Sequence, residues 1–181
     1  MKRALILTGI AVLCCIQSKA QTKLWDGGGG PDSSWTNPLN WLGDVAPDST
    51  DDVLLNNSIV TNSYTVSLPA GPAGISIIKL TITPVSGKTI QLIIPSANTA
   101  NPGLSVTGAG DALILNSGAI LTNSTGVSSG GVGLAVANTF RINNGGRYIH
   151  NNVRGNASII SRLSAAAGTE DGIFEFDIPP G

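Results

Sequence analysis

The residues that invite a chemical reading are gathered at the start of the chain. All three tryptophans, Trp25, Trp35 and Trp41, fall between residues 25 and 53, together with Asp26, Asp32, Asp44, Asp48, Asp51 and Asp52, six of the eleven carboxylates. Indole faces can bury the apolar side of a sugar ring while neighbouring Asp and Asn side chains bond its hydroxyls. Trp25, Trp35 and Trp41, with Tyr64, are therefore a candidate carbohydrate platform. The competing reading is that the same indoles plug the end of a fold otherwise poor in bulky side chains, and the sequence weighs toward the plug.

Gly27-Gly28-Gly29-Gly30-Pro31-Asp32-Ser33-Ser34-Trp35 comes close to the calcium nonapeptide G-G-x-G-x-D-x-U-x, in which backbone carbonyls and the Asp supply hard oxygen ligands. It departs where Ser34 replaces a large apolar residue, and it occurs once, whereas that site is built from stacked copies. Asp44, Asp48, Asp51 and Asp52 form a looser acidic group. Calcium is thus the one cofactor the sequence raises, with Asp32, Asp48, Asp51 and Asp52 as candidate ligands. Solvated loop carboxylates are the plainer explanation.

Other apparent motifs carry less. Gly126-Val-Ser128-Ser-Gly130 matches G-x-S-x-G, and His150 is the single histidine. A nucleophile elbow needs a strand before the serine and a helix after it; here the flanks are turn formers, and no acid lies between residues 112 and 169. Gly87-Lys88-Thr89 lacks the leading glycine of a phosphate-binding loop and reads as a hairpin turn. Glycoside hydrolysis usually needs two facing carboxylates, yet between Val53 and Thr169 the chain has only Asp111. These counts point away from an enzyme.

Residues 1–20 have the layout of a secretory signal peptide: basic Lys2 and Arg3, an apolar run from Ala4 to Ile16, and small residues in Ser18-Lys19-Ala20. Cleavage before Gln21 is expected, placing the protein outside the cell or on its outer surface. Both cysteines, Cys14 and Cys15, lie inside this leader, so the mature chain has no disulfide and no thiolate. A lipidated cysteine would want a small residue before it, where Leu13 or Cys14 stands. Losing Lys2, Arg3 and Lys19 lowers Lys plus Arg from 10 to 7 against 11 acids, a net charge of −4. With no basic run left, nucleic acid and anionic membranes are unsuitable partners, and no membrane span follows the leader.

The elements that must position these residues are strands. Beyond residue 20 the apolar residues come in short, mostly alternating runs bounded by Gly, Asn, Pro or Ser, as half-buried strands do. The predicted strands include 53–55, 64–68, 75–82, 89–94, 104–106, 112–115, 134–136, 139–142, 148–149, 159–160 and 173–178. A single helical turn is considered for 157–167. Leu113-Ile-Leu-Asn-Ser-Gly118 aligns with Phe140-Arg-Ile-Asn-Asn-Gly145 at an offset of 27, and Leu104-Ser-Val106 with Leu134-Ala-Val136 at an offset of 30. A repeat of that length suits one coil of a β-solenoid. An antiparallel β-sandwich is the alternative. The expected layout is a leader (1–20), a Trp/Gly/Asp-rich capping module (21–60) and solenoid coils (61–181). The run 173–178 ends without a polar cap, so the chain is expected to be the N-terminal part of a longer protein.

The Trp25-Asp-Gly-Gly-Gly-Gly … Trp35 … Asn40-Trp41 … Pro47 … Asp51-Asp52-Val53 opening resembles the start of secreted, autotransporter-like or adhesin-like β-helix repeat proteins of Bacteroidota. Phe140 to Asn152 and Gly172 to Asp177 look like segments common in them. The resemblance implies an all-β, right-handed parallel β-helix, export as cargo of the type IX secretion machinery, and a structural or adhesive role toward surface glycans or other cell-surface components. It supplies no catalytic residues.

Overall fold

Alternation makes each short run one-sided, and the one-sided runs stack. In the computed structural model, residues 20–178 are described; the expected leader, with Cys14 and Cys15, lies outside them except for Ala20. The strands in chain order are β1 (Thr22–Leu24), β2 (Asp52–Asn56), β3 (Tyr64–Ser67), β4 (Ile75–Ile77), β5 (Lys79–Thr83), β6 (Ile90–Ile94) and β7 (Leu104–Val106). Then follow β8 (Asp111–Leu115), β9 (Ala119–Asn123), β10 (Leu134–Val136), β11 (Thr139–Ile142), β12 (Arg147–His150), a short helix α1 (Asn156–Ile160) and β13 (Ile173–Phe176). They form three sheets, ordered β1-β2-β5-β8-β11, β4-β7-β10 and β3-β6-β9-β12-β13. From β2 to β12 successive strands belong to successive sheets, and from β2 to β9 each pairs in parallel with the strand one turn on. The chain is a parallel β-helix of about six turns. Every pairing between these strands is parallel, which rules out the antiparallel sandwich.

The register stacks like on like. Leu80, Leu113 and Phe140 form one inward column and Ile82, Leu115 and Ile142 another. Val66, Leu92, Leu121, Tyr148 and Phe174 form a third, on a second sheet. Ile77, Val106 and Val136 form a fourth, on the third sheet. Each side chain fills the space above its counterpart, giving one continuous core. At roughly 25 cal/mol per Å² of buried apolar surface, the aligned columns are the main term favouring the stack.

The two sequence echoes are this register. Leu113 lies beside Phe140 and Leu115 beside Ile142, 27 residues on, while Leu104 lies beside Leu134, 30 residues on. The corners align too: Asn143 Nδ2 donates to Asn116 Oδ1 at 2.6 Å. Gly118 and Gly145 hold φ of 80° and 78°, the left-handed region in which glycine is unstrained. A Cβ on Gly118 would come within 2.5 Å of the Lys88 carbonyl oxygen.

Three sequence expectations are corrected. The run 75–82 is two strands, because the chain turns a corner at Ile78, whose N–H donates to Asp51 O at 2.9 Å. Gly87-Lys88 is a corner and not a hairpin: Lys88 N–H donates to Val85 O at 3.0 Å, and the flanking β5 and β6 lie in different sheets. Ile159 and Ile160, expected in a strand, end α1, with Ile159 buried. That helix packs on the outermost β10, where a further strand of the third sheet would otherwise stack. No helix among the described residues is long and apolar enough to cross a membrane.

Candidate functional site

The cap is built by a fold-back. After β1 the chain runs through the Gly27–Gly30 loop, a segment at Ser33–Trp35 and a single 3-10 turn at Pro38–Asn40. It then returns antiparallel to β1, with Trp41 bridging Trp25. Leu42 N–H donates to Leu24 O and Asp26 N–H to Asn40 O, both at 2.9 Å. Ser33–Trp35 adds to β3 as a one-bridge strand: Trp35 N–H donates to Ser67 O at 2.9 Å and Ser67 N–H to Ser33 O at 2.8 Å. The first edges of two sheets are therefore already paired. The stack thus begins inside the 21–60 module, with β1 already paired to β2.

The three indoles lie inside. Trp25 is 3% exposed and Trp35 and Trp41 are 0%. Trp41 packs edge-on against Trp25 at 5.1 Å and against Trp35 at 4.9 Å between ring centroids. Its Nε1 donates to Trp35 O at 2.7 Å. Tyr64 stacks flat on Trp25 at 6.1 Å with an interplanar angle of 7°, and its hydroxyl donates to Asn56 O at 2.9 Å. Ring faces a sugar would need are spent on one another. The Trp25/Trp35/Trp41 carbohydrate platform is therefore corrected: the indoles are the plug of the first turn.

Asn40 is the polar centre of the cap. It is fully buried, its Oδ1 accepts from Gly29 N–H, and its Nδ2 donates to Asp32 O and Ser34 O, each at 3.0 Å. The glycine run follows from this packing. A Cβ on Gly29 would sit 2.5 Å from Asn40 Oδ1, and one on Gly28 2.6 Å from Leu39 O.

The candidate calcium ligands are dispersed among turns. Asp32 uses both oxygens locally, accepting from Ser34 N–H at 2.8 Å and from Asn37 Nδ2 at 2.7 Å. Asp48 Oδ1 accepts from the Thr50 N–H at 2.8 Å and the Thr50 hydroxyl at 2.6 Å. The Thr50 hydroxyl, then its N–H, and more weakly the charge of Lys23 hold the Asp48 carboxyl below the usual carboxylate range. Asp51 is buried and accepts from Asp48 N–H at 3.0 Å. Asp52 sits on β2 in register with Lys79. Calcium takes six to eight oxygens converging on one point. Among the described residues no three His, Cys, Asp or Glu come together as a metal group. Asp32, Asp48 and Asp51 spend these oxygens on turns, whereas Asp52 on β2 keeps a buried Oδ1 with no hydrogen-bond partner among the described residues.

A groove of about 550 Å³ does open beside the cap, between the Gly27–Ser33 loop and the Ile59–Asn62 loop, with Trp25 and Tyr64 at its base. It offers Asp26, Asp32, Asn62 and Thr65, and the exposed Ile59. The carboxylates near the C-terminus are far from it. Ser33–Trp35 and β13 lie at opposite ends of one sheet, five strand spacings or roughly 24 Å apart at about 4.8 Å each. Two catalytic carboxylates of a glycoside hydrolase lie about 5–9.5 Å apart. In the middle of the stack Asp111 pairs with Arg141 at 3.2 Å, and at its end Glu175 pairs with Arg147. Ser128 of the G-x-S-x-G match is exposed on the β9–β10 loop, while His150 is fully buried and bonded to Tyr148.

That histidine belongs to a group the sequence motifs did not reveal. Asn123, Tyr148 and His150 point into the core from β9 and β12. Asn123 Nδ2 donates to the Tyr148 hydroxyl at 3.0 Å, and the hydroxyl lies 3.0 Å from His150 Nδ1. Burial pushes the Tyr148 hydroxyl well above its ordinary range. It lowers the His150 imidazole, opposed by an interaction with the Arg154 backbone. The available signal was the alternation of Arg147-Tyr148-Ile149-His150, which places His150 on the face of Tyr148. No protein-family model matches the chain, and neither the characterised proteins nor the solved structures contain a match to it.

Proposed function

We propose that this protein is an exported, non-enzymatic solenoid that acts as a structural or adhesive element at the outer cell surface. The observation that carries the reading is the unbroken parallel stack. Two five-stranded sheets and one three-stranded sheet share one axis in a helix of about six turns, roughly 25–30 Å at about 4.8 Å per turn. Such a body is stiff along its axis and presents its sheets as lateral faces. On one of them the outward columns are Thr65, Gln91, Ile120 and Arg147, and beside them Ser67, Ile93, Thr122 and Ile149. Gln91 Nε2 donates to Thr122 Oγ1 at 3.2 Å across turns. Mixed hydroxyl, amide and aliphatic columns of this kind suit contact with surface glycans or other cell-surface components. The basic leader and the small residues before Gln21 support export.

The test is to follow the protein in the cells that make it. The expected result is a mature chain beginning at Gln21, degraded by protease added outside intact cells. A chain that keeps Met1 and stays protected inside the cell would overturn the reading. An exported chain that leaves attachment to glycan-coated or cell-coated surfaces unchanged on deletion would leave a structural role and remove adhesion.

A further inference from the structure

The Asn123–Tyr148–His150 group lies under β13, the outermost described strand of its sheet, and its composition is unsuited to a charged imidazole. His150 is 0% exposed, and its Nε2 has no hydrogen-bond partner among the described residues. The ring packs against Tyr148 at 6.0 Å and edge-on against Phe176 at 5.8 Å. Its Nδ1 meets a hydroxyl already engaged as acceptor by Asn123. A neutral imidazole needs one acceptor for its N–H, whereas an imidazolium needs two.

The charged groups around it do not compensate. On β12 Arg147 points outward to Glu175 of β13. From β9 the facing group is the neutral Asn123. From β13 Phe176 covers the ring, and Asp177 enters through its backbone N–H, which donates to His150 O at 3.0 Å. From the loop after β12 the Arg154 backbone does favour the charged ring, but by less than burial opposes it. Among the described residues no carboxylate pairs with His150.

The cheapest way to hydrate a charged His150 is to lift the strand above it. β13 pairs with β12 alone, and Ile173 and Phe176 are 49% and 50% exposed. A strand with one paired edge and half-exposed side chains opens more readily than the turns beneath it. We infer that His150 makes the β12–β13 pair of this chain an acid-sensitive latch: protonation releases β13 from β12 while the turns up to β11 stay folded. Release uncovers the β12 edge and the Phe174 and Phe176 side chains.

The sign follows from linkage. The imidazole binds its proton less well in the closed state than in the open one, where it has the ordinary value of about 6.5. Closure is therefore at full strength above that value and weakens as pH falls below it, by up to about tenfold in the closing equilibrium per pH unit. The test is amide hydrogen exchange at Ile173 and Asp177, whose N–H groups donate to Gly146 O and His150 O at 3.0 Å, together with NMR titration of the single histidine. After correction for intrinsic exchange rates, protection at these two amides should fall from pH 7.5 to 5, by up to about thirtyfold. Protection at Leu68 and Asn116 should hold steady. In His150→Phe the pH dependence should vanish. If that variant does not fold, the wild-type titration decides: the imidazole should titrate together with the loss of β13 protection. Unchanged protection at pH 5, titration with β13 still closed, or the same acid loss in a folded His150→Phe would each overturn the latch.

Discussion

The two ends of the stack carry the same kind of exposed problem, and they solve it differently. A parallel sheet must end in strands with one unpaired edge. At the N-terminal end the edges of β1 and β3 are paired by the returning chain at Asn40–Leu42 and by Ser33–Trp35, over a plug of three buried indoles. At the C-terminal end Leu163 bridges Phe140 and α1 packs on β10. β13 is the outermost strand of its sheet, with Ile173, Phe176 and Ile178 exposed. The lesson is that bulky aromatics gathered at one point of a repetitive chain mark where the repeat must be closed, and the acids around them belong to the turns that make the closure.

The comparison breaks most sharply on the plug. Trp41→Ala removes a fully buried indole that touches two others. The expected loss is about 3–5 kcal/mol, the range for large aromatic-to-Ala changes in cores. Phe176→Ala at the half-exposed end should cost about 1 kcal/mol or less. Urea unfolding of the two variants decides, and equal losses would mean that the two ends are equally built.

Next in size is Asn40→Ala, which removes three part-buried hydrogen bonds, from Gly29 N–H and to the Asp32 and Ser34 carbonyls. Partly solvated groups can turn to water, so the total loss should be about 2–3 kcal/mol. Asn143→Ala removes a half-buried corner bond to Asn116 and should cost about 1 kcal/mol. The smallest effect is expected from Arg147→Ala. The arginine is 41% exposed and its partner Glu175 32%, so the pair is screened and worth about 0.5 kcal/mol or less. A loss near that of Trp41→Ala would show that the C-terminal end depends on this ion pair.

How much of this was legible in the sequence follows from where the spacing is regular. The columns Leu113/Phe140 and Leu104/Leu134 could be aligned by eye because the intervening corners keep their Asn and Gly. Earlier turns could not. Val53 to Leu80 is 27 residues, but Leu80 to Leu113 is 33, since the loops at the corners differ in length and blur any fixed period. The corner at Ile78 contains neither Gly nor Pro, so two strands read as one. Two adjacent isoleucines satisfy a strand as well as a helix, which hid α1. The candidate site read two ways for a physical reason: indoles beside carboxylates look alike in sequence whether the rings face water or each other. The near-calcium loop read two ways as well, since glycines demanded by close approach to Leu39 and Asn40 mimic glycines demanded by a metal. His150 was visible only as a lone histidine, and its meaning depends on Asn123, one turn below.

The most direct measurement is residue-resolved hydrogen exchange at neutral pH, read at the two ends of the one stack. The amides of Trp35 and Leu42, bonded to Ser67 O and Leu24 O, should be protected to within about tenfold of the interior amides Leu68 and Asn116. Those of Ile173 and Asp177 should exchange at least about a hundredfold faster than the interior, as expected for sub-global opening at an edge. Equal protection at both ends, or a cap that exchanges before β13, would contradict a stack whose first turn is closed by its tryptophans and whose β13 has one unpaired edge among the described residues.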